Sequence, residues 1–559
     1  MSQSPAFANR LQSEFLVRWL PLLAILVGAL ALRLIFFTGM VRGDDFNYAH
    51  AAYDLSLGEL NLGGWNGSGR LGLYLPVAVL YRLFDASEVT TLAFPVFASL
   101  LSVVCVYGIA DHFSGQASGL FAAYLCALLP LDIVLATDLL PDGPTAAFST
   151  GAVFAYLLAS QKRGKPAVLF YLLSFAALAW AILIKPVAVI TLIFISFHLM
   201  WRLFVHKKER ILGSKIIQAS WFKYSLIALV LAVVLALLFS YLRIERRIFI
   251  FAFSRAATDL AKLFITGETD VVFPQLHVTQ TNLFWVFTPL FLIAFIYALT
   301  RQRNQLGFVL LWLSVAYLYY EWGTINTDIT RYEPVEIFTE ARSMLFLLAP
   351  LIVLAGAYLS QGVPPSITRW LLPVLLWAVV AIAYFLKTDI YSGTLSTYLQ
   401  TASLAAVFLA LISPVFIMNN TGRWKQLITV GYILVLSLAT FLPAPVYHPS
   451  YVQADREEIE LLRLASDYLQ EPGLPIYTNV PRKLNYATDF DLGFNWLDRT
   501  NVDTDDLILD ISVSSPTGIA AYVVFLGNSS SDTSGWMPVA KLESSNYNTT
   551  VTVFQISEN

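Results

Sequence analysis

Runs of about twenty apolar residues recur along this chain of 559 residues, the length a helix needs to cross the roughly 30 Å hydrocarbon core of a bilayer. They lie near 17–37, 88–110, 118–134, 143–160, 167–183, 186–205, 223–242, 283–300, 306–320, 343–360, 370–386, 397–418 and 427–443. The apolar character hardly breaks across 167–205, and several runs are short, which fits partial or tilted spans. Only 13% of residues are charged and 57% are hydrophobic, where a soluble domain carries about 25% charge. The pattern predicts a polytopic α-helical membrane protein with about 13 transmembrane helices. The first run has no small-residue cleavage site behind it and reads as a retained span. Cys105 and Cys126 both fall inside apolar runs, in no disulfide or metal spacing, and read as small buried hydrophobes. The net charge is -3, with no basic stripe or nucleic-acid motif, so no nucleic-acid partner is expected.

Lys and Arg in the short connections set the orientation. With a cytoplasmic N-terminus, the inner loops hold Lys162, Arg163, Lys165, Lys207, Lys208, Arg210, Lys215, Arg301, Arg303, Arg423 and Lys425. The connection at Asp111-His112 is the exception. Three polar loops then face outward, about 38–87, 243–282 and 321–342, together with the tail from about 444. The expected location is the plasma membrane, multi-pass, with the C-terminal part extracytoplasmic. The second outer loop breaks the charge rule with Arg243, Arg246, Arg247, Arg255 and Lys262. It reads either as an anion site or as a helix against anionic headgroups.

Composition changes at Pro443-Ala-Pro445. Residues 1–443 form the membrane part, and 444–559 a small α/β extracytoplasmic domain, large enough for one core. In it an amphipathic helix is expected over 455–470, followed by strands near 475–479, 507–512, 521–526, 539–542 and 549–556.

Five charged features gather on the outer side. Asp44 and Asp45 open a juxtamembrane helix expected over Phe46–Leu57. A carboxylate there serves as a helix cap or as a base taking a proton from an acceptor. Arg70 precedes Gly72, Tyr74 and Pro76, read as a turn before a second amphipathic stretch, Val77–Phe84. Its donor fork suits a phosphate, and a lone Arg also snorkels to headgroups. Asp138 and Pro141-Asp142-Gly143-Pro144 join two apolar runs, as turn chemistry or as acidic site residues. Lys185-Pro186 interrupts an apolar stretch, where a Lys needs a polar partner or a cavity. Glu340-Ala341-Arg342 stands directly before a span, in a loop that covers a substrate or is merely solvated. Cations and carboxylates on one membrane face suit a substrate with an anionic head and an apolar tail.

This set resembles the glycosyltransferase C superfamily, closest to the branch of protein O-mannosyltransferases and lipid A aminoarabinose transferases. Asp44-Asp45 matches the family's acidic pair after the first span. Arg70 to Pro76 matches its basic residue before a Pro- and Tyr-containing turn, although Leu71-Gly72 stands where Pro is usual. Pro141-Asp142 matches its second acidic motif, and Ala181 to Pro186 its Lys-Pro element. Glu340-Ala341-Arg342 matches its late Arg motif, with Ser343 where Tyr is frequent. Order and spacing agree over roughly the first 200 residues.

The resemblance implies an integral-membrane enzyme transferring a sugar, hexosyl or pentosyl, from a polyprenyl-phosphate sugar, with inversion, on the outer face. One carboxylate of Asp44/Asp45 is then the base and Asp142 supports the acceptor or that base. Arg70, Lys185 and Arg342 bind the leaving phosphate, electrostatic catalysis by fixed cations. Tyr74, Asp138, Glu340, Arg246 and Arg247 are further candidates. The partners are the polyprenyl-phosphate sugar and membrane lipid; the acceptor, whether lipid, glycan or protein, is not specified by these residues. No cofactor is demanded. A divalent cation is compatible with Asp44, Asp45, Asp138 and Asp142 as an oxygen site, although no ligand spacing calls for one. His50 and His112 read as ordinary polar residues. The rival class is a secondary transporter or flippase of an anionic lipid-linked substrate, which predicts an inverted repeat; the sequence shows none.

Overall fold

The computed structural model describes residues 5–37, 39–40, 43–60, 69–209, 287–322, 345–391, 422–439, 450–469, 476–478, 483–484, 487, 521–526, 537–544 and 549–556. The helices in this set are α1 (Pro5–Ile35), α2 (Gly43–Ser56), α3 (Leu71–Phe84), α4 (Glu88–Ser114), α5 (Gln116–Leu128), α6 (Pro130–Leu135), α7 (Asp142–Gln161), α8 (Lys165–Ile184), α9 (Val189–Glu209), α10 (Thr288–Arg301), α11 (Arg303–Trp322), α12 (Leu345–Leu359), α13 (Pro365–Tyr391), α14 (Gly422–Ala439) and α15 (Ser450–Ser466). Within the described residues, 88–114, 165–184 and 365–385 are long and apolar enough to cross a membrane. The runs expected at 223–242 and 397–418, the basic loop 243–282, the loop segment 323–342 and the strand at 507–512 lie outside the described residues.

Proline decides where several helices stop. The residue before a proline is pushed out of the α region, and Leu129 and Lys185 both have extended backbones ahead of Pro130 and Pro186. The run expected over 118–134 is therefore two helices, α5 and α6, not one. The nearly unbroken stretch 167–205 is likewise divided at Lys185, with a single 3-10 turn, Pro186–Ala188, leading into α9. At Ser87 a reciprocal box starts α4: the Ser87 hydroxyl accepts from Thr90 N–H, and the Thr90 hydroxyl oxygen accepts from Ser87 N–H at 2.9 Å.

The second amphipathic element differs from the sequence expectation. It begins at Leu71 rather than Val77, so Tyr74 and Pro76 sit inside α3 and form no turn. Burial of Leu73, Tyr74, Val77, Ala78 and Tyr81 on one face outweighs the weak helix preference of Gly72 and Pro76. The first outer helix starts at Gly43 and takes both Asp44 and Asp45 into its first turn.

In the bundle, α12 is buried at every position except Leu351, the signature of a central helix. It packs on α5, where a Cβ on Gly356 would come 2.7 Å from the Ser118 carbonyl oxygen. Close backbone approach of this kind is how apolar helices associate in lipid. Helix α4 packs on α5 and α7, and α7 packs along α8.

The C-terminal helix runs over Ser450–Ser466, earlier than the expected 455–470. It packs on a sheet of β1 (Ile476–Thr478), β2 (Ala521–Leu526), β3 (Met537–Glu543) and β4 (Thr550–Ile556), in the order β1-β2-β4-β3. β1 is parallel to β2, pairing Ile476 with Tyr522, and the other pairs are antiparallel. Tyr522, Val524, Val551 and Val553 share one apolar cluster with Ile459 and Leu462 of α15, Tyr48 of α2, Tyr74 of α3 and Ile184 of α8. The sheet, α15 and the buried faces of α2 and α3 thus belong to one apolar cluster.

A buried ion pair, unforeseen from sequence, ties this bundle together. Arg33 of α1 is wholly buried. Its guanidinium pairs with Asp132 of α6, donates through Nε to Ser99 Oγ at 2.6 Å and through Nη1 to the Ala29 carbonyl at 2.8 Å. Ser99 in turn donates to Asp132 at 2.6 Å. Each charge lies inside an apolar run, so window averages hide it. Arg33→Met leaves Asp132 uncompensated and is expected to cost about 3–5 kcal/mol, whereas Arg33→Met with Asp132→Leu recovers most of that. Denaturant unfolding in detergent micelles checks it; equal losses in the single and double variants would refute the coupling.

Candidate active site

The candidate residues that the structure describes come from helix ends at one end of the bundle. Asp44 and Asp45 both sit in the first turn of α2, where backbone N–H groups favour negative charge. They diverge sharply in setting: Asp44 is exposed and Asp45 is fully buried. Tyr48, one turn after Asp45, lies on the same helix face and is also buried. Arg70, half-buried just before α3, donates to the Tyr48 hydroxyl, with its guanidinium carbon 5.5 Å from the ring centroid. Asp45, Tyr48 and Arg70 thereby form one strip between α2 and α3.

Gly72 sets the next contact. A Cβ there would lie 2.7 Å from the backbone nitrogen of Ile184 and 2.8 Å from the Leu183 carbonyl carbon. Only glycine lets the start of α3 meet the end of α8 this closely. This supplies a physical reason for Leu71-Gly72 where the family pattern has Pro. Lys185 follows at once. Its Nζ donates to Asp142 Oδ1 at 2.7 Å. Asp142 occupies the first turn of α7, and the N-cap position belongs to Pro141. The Asp142 side chain is 1% exposed and that of Lys185 is 23% exposed, so the ammonium is the wetter partner. The polar partner that an intramembrane Lys requires is therefore the carboxylate of the Pro-Asp motif, 43 residues earlier in the chain.

Asp138 is also buried, in the irregular segment between α6 and α7, beside Leu139 of the α2–α3 cluster. Tyr74 is buried in that cluster, and burial pushes its hydroxyl up to about 12, so it remains a hydrogen-bond donor at neutral pH. His50 Nε2 stands 3.6 Å from Asp54 Oδ2 along α2. Burial pushes the Asp54 carboxyl up, partly offset by His50. His112 meets Gln161 at the other end of the bundle. Among the described residues no group of three or more His, Cys, Asp or Glu side chains could hold a metal ion, so Asp44, Asp45, Asp138 and Asp142 do not assemble as one oxygen site.

Arg342, Glu340, Arg246 and Arg247 lie outside the described residues. Leu345, which follows Arg342 by three positions, is at the site: a Cβ on Gly143 would lie 4.0 Å from its Cδ1. Behind the Lys185–Asp142 pair, Phe94 stacks on Phe148 at 6.0 Å, and Phe148 meets Trp180 at 6.4 Å. Phe148 and Trp180 are six and five residues from Asp142 and Lys185 along their helices, so the aromatic row lies one to two turns into the bundle. Tyr48 was readable as a site neighbour from its spacing to Asp45. The aromatic row was not, because its members come from three helices.

Residues 73–239 match the sequence profile of the family described as Dolichyl-phosphate-mannose-protein mannosyltransferase. The match takes in Tyr74, Asp138, Asp142 and Lys185 and begins three residues after Arg70. No curated protein matches the chain in sequence. Among solved structures, ArnT from Cupriavidus metallidurans in the apo state superposes with a TM-score of 0.58 at 15% identity, covering 95% of this chain and 97% of ArnT. The same protein bound to undecaprenyl phosphate gives 0.54 at 14% identity with the same coverage. In sequence over residues 73–239, and in fold over nearly its whole length, the chain resembles the glycosyltransferase C superfamily on the branch of the protein mannosyltransferases and ArnT.

Proposed function

We propose that this chain is an integral-membrane glycosyltransferase that moves a sugar from a polyprenyl-phosphate donor to an acceptor at the outer membrane face. The observation that carries this reading is the Lys185–Asp142 pair, half-open at the end of an apolar bundle, with Asp45 and Arg70 on neighbouring helices. Support for the donor class comes from the fold shared with ArnT, whose structure bound to undecaprenyl phosphate belongs to the same architecture. In this reading residues 1–443 are the catalytic membrane part and 444–559 an extracytoplasmic domain that braces α2 and α3. The cations Lys162, Arg163, Lys165, Arg301 and Arg303 at the opposite end of the bundle support reading that end as cytoplasmic.

The chemistry follows from the placement of charges. A carboxylate takes the proton of the acceptor hydroxyl or amine. The acceptor atom attacks the anomeric carbon from the face opposite the phosphate, and the anomeric carbon–oxygen bond to phosphate breaks. The bonding pair leaves with the polyprenyl phosphate, and the configuration inverts. We assign the base to Asp45. It is shielded from bulk water, which would otherwise compete as acceptor, and it shares a face with Tyr48 and Arg70. Arg70 and Lys185 stabilise the charge that develops on the departing phosphate, with Arg342 as third cation; fixed charges cost no reorganisation during the reaction. The aromatic row of Phe94, Phe148 and Trp180 offers apolar surface to the isoprenoid next to the phosphate. Asp142 holds the Lys185 ammonium in place.

Transfer of labelled sugar from a panel of polyprenyl-phosphate sugars, with membrane extract as acceptor and donor hydrolysis scored in parallel, tests the reading. Asp45→Asn is expected to lower turnover by about 10²–10⁴-fold with folding intact, and Asp44→Asn to stay near the parent rate. Full activity in Asp45→Asn removes it as the base, and no sugar released from any donor by folded protein defeats the class.

Lys185 has two separable effects. Lys185→Ala is expected to destabilise by about 3–5 kcal/mol by leaving Asp142 uncompensated. Lys185→Ala with Asp142→Asn is expected to restore the unfolding midpoint while donor KM stays raised. A double variant with parental donor KM would make the lysine a structural partner only.

A further inference from the structure

The two cations described at the proposed site are held in different ways. Lys185 is answered by the Asp142 carboxylate at 2.7 Å. Arg70 forms no ion pair among the described residues, and its side chain is held by Tyr48 alone of them. The guanidinium donates through Nη1 to the Tyr48 hydroxyl oxygen, and its carbon stands 5.5 Å from the ring centroid. The two residues are 22 positions apart in the chain, so this contact is a product of the packing of α2 on α3.

Backbone and side chain of Arg70 are fixed from different sides. Two residues on, a Cβ at Gly72 would lie 2.7 Å from the Ile184 backbone nitrogen, so the start of α3 is pressed against the end of α8. The side chain meets a rigid wall. Tyr48 is 1% exposed and shares an apolar cluster with Phe46, Ala49 and Ala52 of α2 and Leu73 and Val77 of α3. A phenol ring enclosed in this way keeps one orientation. An arginine side chain without such a partner samples many rotamers, and ordering it is costly.

What Tyr48 withholds matters as much as what it supplies. A guanidinium has five N–H donors, and the bond to Tyr48 uses Nη1. The opposite edge, Nε with Nη2, is the pair of parallel donors that fits two oxygens of a phosphate. A carboxylate in the place of the hydroxyl would hold Arg70 equally well and cancel its charge. The phenol is neutral and leaves the charge in force. We propose that Tyr48 is a positioning residue of the donor site: it orders Arg70 for the phosphate of the polyprenyl donor without neutralising it. The ordering cost then falls on folding and not on binding. This inference rests on the assignment of Arg70 to the departing phosphate.

The test uses full-length protein in neutral detergent micelles. The probe is labelled undecaprenyl phosphate, which carries the phosphate and the isoprenoid but no sugar. Arg70→Ala is expected to weaken its retention roughly tenfold, the loss of a charge-assisted contact. Tyr48→Phe keeps the buried ring and removes the acceptor oxygen. It is expected to weaken retention about three- to tenfold, the range for one long side chain that must now be ordered on binding, and to raise donor KM with kcat near the parent value. Tyr48→Met, which keeps apolar bulk, takes its place if Tyr48→Phe does not fold. Placed on Arg70→Ala, either substitution is expected to cause no further loss of retention, because Tyr48 acts through Arg70. Parental retention by a folded Tyr48 variant overturns the proposal, as do losses that add in the double variant. A fall in kcat with donor KM unchanged assigns Tyr48 to Asp45 instead and also overturns it. Parental retention by Arg70→Ala removes the arginine from the phosphate site and takes the proposal with it, whereas the other outcomes leave that assignment standing.

Discussion

An ammonium held 2.7 Å from a buried carboxylate at the end of an apolar bundle governs the geometry of everything around it. A lone lysine inside a membrane protein is unfavourable, and Lys185 is tolerated because three separate features meet there. Pro186 ends α8 and turns the lysine out of the helix. Gly72 lets α3 press against that end. The start of α7 brings Asp142 underneath. Disturbing any one of these moves the charge that the other two position.

The two buried ion pairs differ in what they leave available. Around Arg33 the guanidinium is spent on Asp132, Ser99 and the Ala29 and Ala127 carbonyls, and no part of its side chain is exposed. That pair can only hold α1, α4, α5 and α6 together. Lys185 has three donors, one directed at Asp142, and nearly a quarter of its side chain is exposed. An enclosed pair fixes a fold, and a half-open one can also meet a ligand. This contrast favours Lys185 over Arg33 as a functional cation, although the sequence sets both among apolar residues.

How much was legible depends on whether the governing signal was local. The apolar runs, the helix break at Lys185-Pro186 and the strands at 521–526 and 550–556 follow from local patterning. Leu129-Pro130 carried the same breaker signal, but the apolar average across 118–134 masked it. The start of α3 was misplaced because Gly72 and Pro76 are turn residues by propensity, while the burial that overrides them comes from packing against α2, α4 and α8. The pairing of Lys185 with Asp142, and of Arg33 with Asp132 99 residues away, is tertiary. No spacing rule announces either.

Helix termini account for most of the charge placement at the proposed site. Asp44, Asp45 and Asp142 lie in first turns, and Lys185 follows the last residue of α8. Each sits where the helix dipole contributes about 0.3–1 kcal/mol in its favour. Arg70 is the exception, because it is a cation placed directly before the start of α3, where that dipole repels it. Its described contacts are with a neutral partner, the Tyr48 hydroxyl and ring. An anion seated at this position would answer the guanidinium and the positive end of the helix together. That is the place the proposed mechanism gives to the departing phosphate, so the least favourable charge in the site becomes the one that binding of the donor relieves most.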